Sequence, residues 1–239
     1  MNKKFEFTGE TKAVLGNTLH RIRALISFGE VGAGELGGWI EKEENLDASG
    51  NAWVYGNAQV SGNAQVYGNA CVYGDAWVSG NARVYGIARV DGNAWVSGNA
   101  WVYGDAWVFG NARVYGNARV YGDARVYGDA RVSGNAWVCG NARVYGDARV
   151  DGDARVYKCG AIFWISNVGS RDDTATFFAC RDKKIKVIVG CFFGDLDEFA
   201  AAVQKTHGDN THAKVYRLAI EMAKERIKMD DMPEESNDG

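Results

Sequence analysis

The sequence predicts a mainly β protein: a parallel, triangular β-helix of about six coils, an N-terminal β-hairpin cap and a small C-terminal α/β module. Three observations predict it. A six-residue period, G-[ND]-A-x-V-x, runs through residues 50–157. It stops on both sides, where strand-like alternation and then helical spacing replace it. The 239 residues include 31 Gly and 1 Pro, which suits regular turns rather than collagen or a disordered linker.

Residues 1–30 read as the cap. KKFEFT and TLHRIRALISF flank a turn near Gly16 and Asn17. The following VGAGELGGWIEKEENL is Gly-punctuated and predicts an irregular first coil over the open end of the helix, whose apolar core and strand edges otherwise face water. The β-helix is assigned to 31–157.

Within the repeats, Ala recurs at 52, 58, 64 and so on to 154, and Val at 54, 60, 66 and so on to 156. Two residues apart on an extended segment, they share the inward face. Gly with Asn or Asp supplies residues that tolerate left-handed backbone, so each repeat turns a corner there. Three flats close a coil of 18 residues, and at roughly 4.8 Å per stacked strand six coils span about 29 Å. An Ala/Val interior is narrow and dry, so any function lies outside it.

Residues 158–229 form the C-terminal module. AIFWIS (161–166), TATFFAC (174–180) and KIKVIVGCFF (184–193) read as three strands, the last two joined at Arg181-Asp182-Lys183. Asp195 and Glu198 make a capping box. It opens a helix with Leu196, Phe199 and Val203 on one face, stopped by Gly208. A second helix over 211–229 carries Val215, Tyr216, Ala219, Ile220, Met222, Ala223 and Ile227 as an apolar stripe. Residues 230–239 read as an acidic, disordered tail.

Net charge is −3. The repeats carry 9 basic and 8 acidic groups, too even a balance for a duplex nucleic-acid partner. Five Cys without a C-x-x-C pair suit reduced thiols in a cytoplasm. The N-terminus lacks the apolar run of a signal peptide, and no stretch approaches the roughly 20 apolar residues of a membrane span.

Outward residues 18 apart stack in columns. Arg, Trp and Tyr columns stabilise themselves by stacking. Six Trp read as exposed also point to a subunit interface, with Trp77, Trp95, Ser79 and Ser97 its candidate residues and a homotrimer the expected assembly. The only His are His20, His207 and His212, none of them in the repeats. No catalytic residues, metal site or cofactor are assigned, and the chain is read as a binder rather than an enzyme. The candidate ligand site is Gly169, Ser170 and Arg171, with Phe163 and Trp164 nearby in sequence and His207 as a further member. Gly-Ser offers close-approaching N–H groups, and Arg offers a fork for phosphate or carboxylate. A small anionic ligand, nucleotides included, is therefore the expected partner.

LHRIRALISFGEVGAGELGGWIEKEENL, the GNARVYGDARV repeats, GSRDDTATFF and VGCFFGDLDEFAAAVQKTHGDNTHAKVYRLAIEMA together resemble phage- and prophage-encoded hexapeptide-repeat proteins. Members are often labelled transferase-like or polymer-forming. The resemblance covers nearly the whole chain. It implies a left-handed helix, trimeric assembly and a phage origin, and it supplies no catalytic residues. By analogy with phage biology, the expected role is anti-defence: sequestering a nucleotide signal or a host protein in the bacterial cytoplasm. The alternative is an acyltransferase with an inter-subunit active site using His207 or His212.

Overall fold

A computed structural model describes residues 3–229, so the tail expected over 230–239 lies outside the described residues. Strands β1 (Phe5–Val14) and β2 (Asn17–Ala24) form the antiparallel hairpin around Leu15 and Gly16. β2 pairs antiparallel with β3 (Leu36–Ile40), and β3 pairs in parallel with β5 (Gln59–Val60). The hairpin thus prolongs one flat of the solenoid instead of leaving its edge bare. Leu46 bridges Val66 in parallel, completing the irregular first coil and bringing the solenoid to about seven turns.

The cap is pinned by Lys4, which is almost fully buried. Its Nζ donates to the carbonyls of Ala52 at 2.7 Å and Asp47 at 3.2 Å and lies 4.4 Å from the Phe28 ring centroid. Burial pulls this ammonium down to about 8, with Asp47 partly opposing the shift.

Strands β4 (Trp53–Val54) to β21 (Arg155–Val156) follow at six-residue intervals and stack in register with residues 18 apart. They make three parallel sheets. Every repeat Ala and Val is fully buried. The corners refine the expectation from sequence. Only the Gly takes a left-handed backbone, while the Asn or Asp after it does not. At Gly104, with φ +70°, a Cβ would lie 3.0 Å from the Gly122 nitrogen, so stacking as well as conformation demands Gly. The Asn serves differently, forming an amide ladder through Asn63, Asn81, Asn99, Asn117 and Asn135 to Asp153. Ile87 is tolerated because its position needs no positive φ.

The C-terminal module closes the far end. β22 (Ile162–Val168), β23 (Asp173–Ala179), β24 (Ile185–Val189) and β25 (Phe192–Asp195) form an antiparallel meander. The expected third strand is two strands, because Gly190 at φ +57° turns the chain within the apolar run. Ala154 bridges Cys180, and the Arg149 amide donates to Thr176 Oγ1 at 3.1 Å. Phe177, Phe178 and Cys180 continue the Ala/Val core without a break. Helices α1 (Leu196–His207) and α2 (Thr211–Arg226) cover the sheet. The Asp195–Glu198 capping box forms, and Gly208 ends α1. Tyr216, Ala219, Ile220, Ala223 and Ile227 are buried as the stripe predicts, but Met222 is half exposed, lying beyond the face that meets the sheet.

Two clefts at the C-terminal end

The turn between β22 and β23 carries Gly169, Ser170 and Arg171. Gly169 has φ +76°, and a Cβ there would fall 1.9 Å from the Tyr216 hydroxyl oxygen. Only Gly lets α2 press Tyr216 against this turn. Ser170 and Arg171 then border an open cleft of about 260 Å³, with Asp173, Cys191, His207 and Tyr216 around a floor of Phe199 and Val203. The His207 ring lies 5.8 Å from that of Tyr216 and 5.7 Å from that of His212. Burial raises the Tyr216 hydroxyl above its usual range, and Asp173 adds to the rise. Among the described residues, the side chains of Ser170, Arg171, Asp173, His207 and Tyr216 make no hydrogen bond or ion pair within the chain. Unspent polar groups converging on an apolar floor are the usual make-up of a small-ligand pocket.

Phe163 and Trp164 do not belong to this cleft. Gly169 lies five residues beyond Trp164 along an extended strand, roughly 16 Å at ~3.3 Å per residue. Both aromatics sit at the solenoid end of β22. Phe163 stacks on Phe177 at 5.8 Å, and Trp164 meets Tyr145 edge-on at 4.5 Å. There they line a second cleft of about 440 Å³, together with Tyr127, Arg143, Cys159 and Arg226. Sequence reasoning missed Arg143 and Arg226, which come from the last coil and the end of α2.

Three of the four candidate interface residues, Trp77, Trp95 and Ser79, are engaged within the chain. Trp77 Nε1 donates to Ser61 Oγ at 3.2 Å and Trp95 Nε1 to Ser79 Oγ at 3.3 Å. The two indoles stack at 5.3 Å. Of the six repeat Trp, Trp53 is fully buried beneath Phe5 and Phe28, and of the rest only Trp95 is markedly exposed. The open Trp surface is therefore smaller than the sequence suggests. Ser97, with Trp95, Arg113, Tyr115 and Arg131, lines a notch of about 240 Å³ on the same flat.

A family model described as the YdcK beta solenoid repeat matches residues 64–80, 112–126, 124–140 and 142–158, nearly all within the regular coils. With the stacked parallel sheets, this defines the chain as a β-solenoid repeat protein. No curated protein matches it. No helix among the described residues is long and apolar enough to cross a membrane. Among the same residues, no group of three or more His, Cys, Asp or Glu is placed to hold a metal ion.

Proposed function

We propose that the chain is a non-enzymatic binding and assembly protein of phage type, a rigid β-solenoid whose C-terminal module holds a small anionic ligand. The observation that carries this reading is the cleft beside Gly169, where Arg171, Ser170 and His207 meet an apolar floor with no partner of their own among the described residues. Arg171 supplies the anion contact, Ser170 a neutral hydrogen bond, and Phe199 with Val203 the dry base. Sequestering a phosphate-bearing nucleotide, as an anti-defence protein does, is the use this geometry suits best. The expected assembly is a homotrimer contacting through the Ser97 notch, and sedimentation of the wild type as a monomer at micromolar concentration would count against it.

Calorimetry with cyclic nucleotides, linear nucleotides and inorganic phosphate tests the ligand reading. Replacing Arg171 with Ala removes a hydrogen bond to a charged group and is expected to weaken binding by about 1.5–3 kcal/mol. Undiminished binding in the variant places the site elsewhere. No binding by any of these anions leaves recognition of a host protein as the better account.

A further inference from the structure

We propose that the cleft between the last coil and the C-terminal module is a second ligand site, one that takes a planar aromatic ring carrying a phosphate. A nucleoside monophosphate has this chemistry. The proposal does not rest on the cleft beside Gly169, which involves different residues.

Three features point to it. First, the charged side chains of the lining are cationic: the guanidiniums of Arg143 and Arg226 line it, and no Asp or Glu among the described residues does. Neither guanidinium has a hydrogen bond or ion pair among the described residues, and the Trp164 indole N–H has no acceptor there. The nearest acid in sequence, Glu225, is held by Lys228 at 3.2 Å. Second, Arg143 is paired in register with Arg125, a like-charge neighbour, and unlike Arg125 it has no indole beneath it. Like charges directly opposite on paired strands repel, and a bound anion relieves that repulsion. Third, the walls are aromatic: exposed Tyr145, the last ring of its stack, lines the space with half-buried Phe163 and Trp164. Arginine beside accessible aromatic rings is the pairing that stacks bases and holds phosphates. The volume of about 440 Å³ falls within the ordinary range for small-ligand pockets.

The two clefts each contain an exposed cysteine, Cys159 in this one and Cys191 in the other, so alkylation reports occupancy site by site. The full chain is treated with iodoacetamide, and modification of each thiol is followed by peptide mass spectrometry. Adenosine 5′-monophosphate at about 10 mM, enough to fill a site of millimolar Kd, is expected to slow alkylation of Cys159 about tenfold. Adenosine and ribose 5-phosphate, each lacking half of the recognised chemistry, are expected to protect far less. The Arg143→Ala/Arg226→Ala double variant, with its fold checked by circular dichroism, is expected to lose the protection. Unslowed alkylation of Cys159, full protection by adenosine alone, or undiminished protection in the double variant would each overturn the proposal. Protection confined to Cys191 would overturn it too, while leaving the reading of the other cleft intact.

Discussion

On one flat of the solenoid, Arg83, Trp101, Arg119, Trp137 and Arg155 alternate up the column. Each guanidinium lies within 4.2–5.2 Å of an indole. At the top of another flat, Arg143 follows Arg125 with no indole between them and opens onto a cleft. The residue type and the strand register are the same, yet one arginine is spent on its neighbours and the other is not. The difference shows where binding capacity lies in a repeat protein. A side chain with a suitable ring above or below it is consumed by stacking, whereas one without such a neighbour, or in the non-repeating module, keeps its donors. The Tyr column confirms the first half of this. Tyr67, Tyr85, Tyr103 and Tyr121 stack with centroids 4.8–4.9 Å apart and nearly parallel planes.

The comparison breaks most visibly at the core. Val102→Asp buries an unpaired carboxylate among Ala and Val and is expected to cost more than about 4 kcal/mol. Tyr103→Asp, one residue along and facing outward, forfeits only ring stacking and is expected to cost about 1–2 kcal/mol. Denaturant melts of the two variants give the ratio. Equal losses would show that inward and outward positions are energetically alike, which the register forbids.

Alkaline pH separates the cap from the columns. Lys4 is protonated in the unfolded chain up to about 10.5 but in the folded chain only to about 8. Between those values the unfolded state holds more protons, so this contribution to stability rises with pH, by at most about 3 kcal/mol. Tyr55 and Tyr85 do the opposite, since burial pushes both up to about 12. Their contribution is complete below pH 10 and is lost as pH rises through 12. Buried Cys180, also at about 12, acts in the same direction from its ordinary value of 9 upward. Chemical melts of wild type and Lys4→Met from pH 7 to 12 isolate the cap. The difference is expected to grow in favour of the wild type between pH 8 and 10.5, and both proteins are expected to weaken above pH 10. A pH-independent difference would mean that Lys4 keeps its charge in the fold.

What the sequence reveals follows the same division. The solenoid is legible because its register is a period: knowing that Ala52 and Val54 face inward fixes Ala154 and Val156 a hundred residues later. The irregular first coil is legible from Gly punctuation. The burial of Trp53 is not, because Phe5 and Phe28, which cover it, come from a separate hairpin and a loop. In the module, Gly190 and Cys191 carried a two-residue turn signal, hidden by apolar residues on both sides. That Arg171 and His207 border one cleft follows from a Gly-Ser-Arg loop and a helix end legible in the sequence, but the fit of Tyr216 over Gly169 needs the packed helix. Phe163 and Trp164 line the other cleft instead, because nearness in sequence along an extended strand is distance in space.

A smaller effect comes from the columns themselves. Arg119 is held between Trp101 at 4.9 Å and Trp137 at 5.0 Å, and Arg119→Ala is expected to cost about 1 kcal/mol. Arg119→Lys is expected to recover only part of it, since a compact ammonium does not stack as a guanidinium plane does. Thermal melts measure both. A loss-free Arg119→Ala would mean that the column is decoration, and the unspent state of Arg143 would then distinguish nothing.

The smallest expected change sharpens the comparison most. Arg171 is exposed, makes no hydrogen bond or ion pair among the described residues, and follows a turn whose shape is set by Gly169 and Tyr216. Nothing in the fold depends on its guanidinium, so Arg171→Ala is expected to leave stability within about 0.5 kcal/mol of wild type. Its neighbour makes the internal control. Gly169→Ala adds a methyl where the Tyr216 hydroxyl sits and forces a left-handed Ala, so it is expected to destabilise the module by more than about 1 kcal/mol. Side-by-side melts of the two variants therefore ask whether the turn divides its labour, one residue for packing and one held free for a ligand. A stability loss in Arg171→Ala comparable to that of Gly169→Ala would mean that the arginine is structural. A cleft edged by a structural arginine would no longer differ in kind from the self-satisfied columns below it.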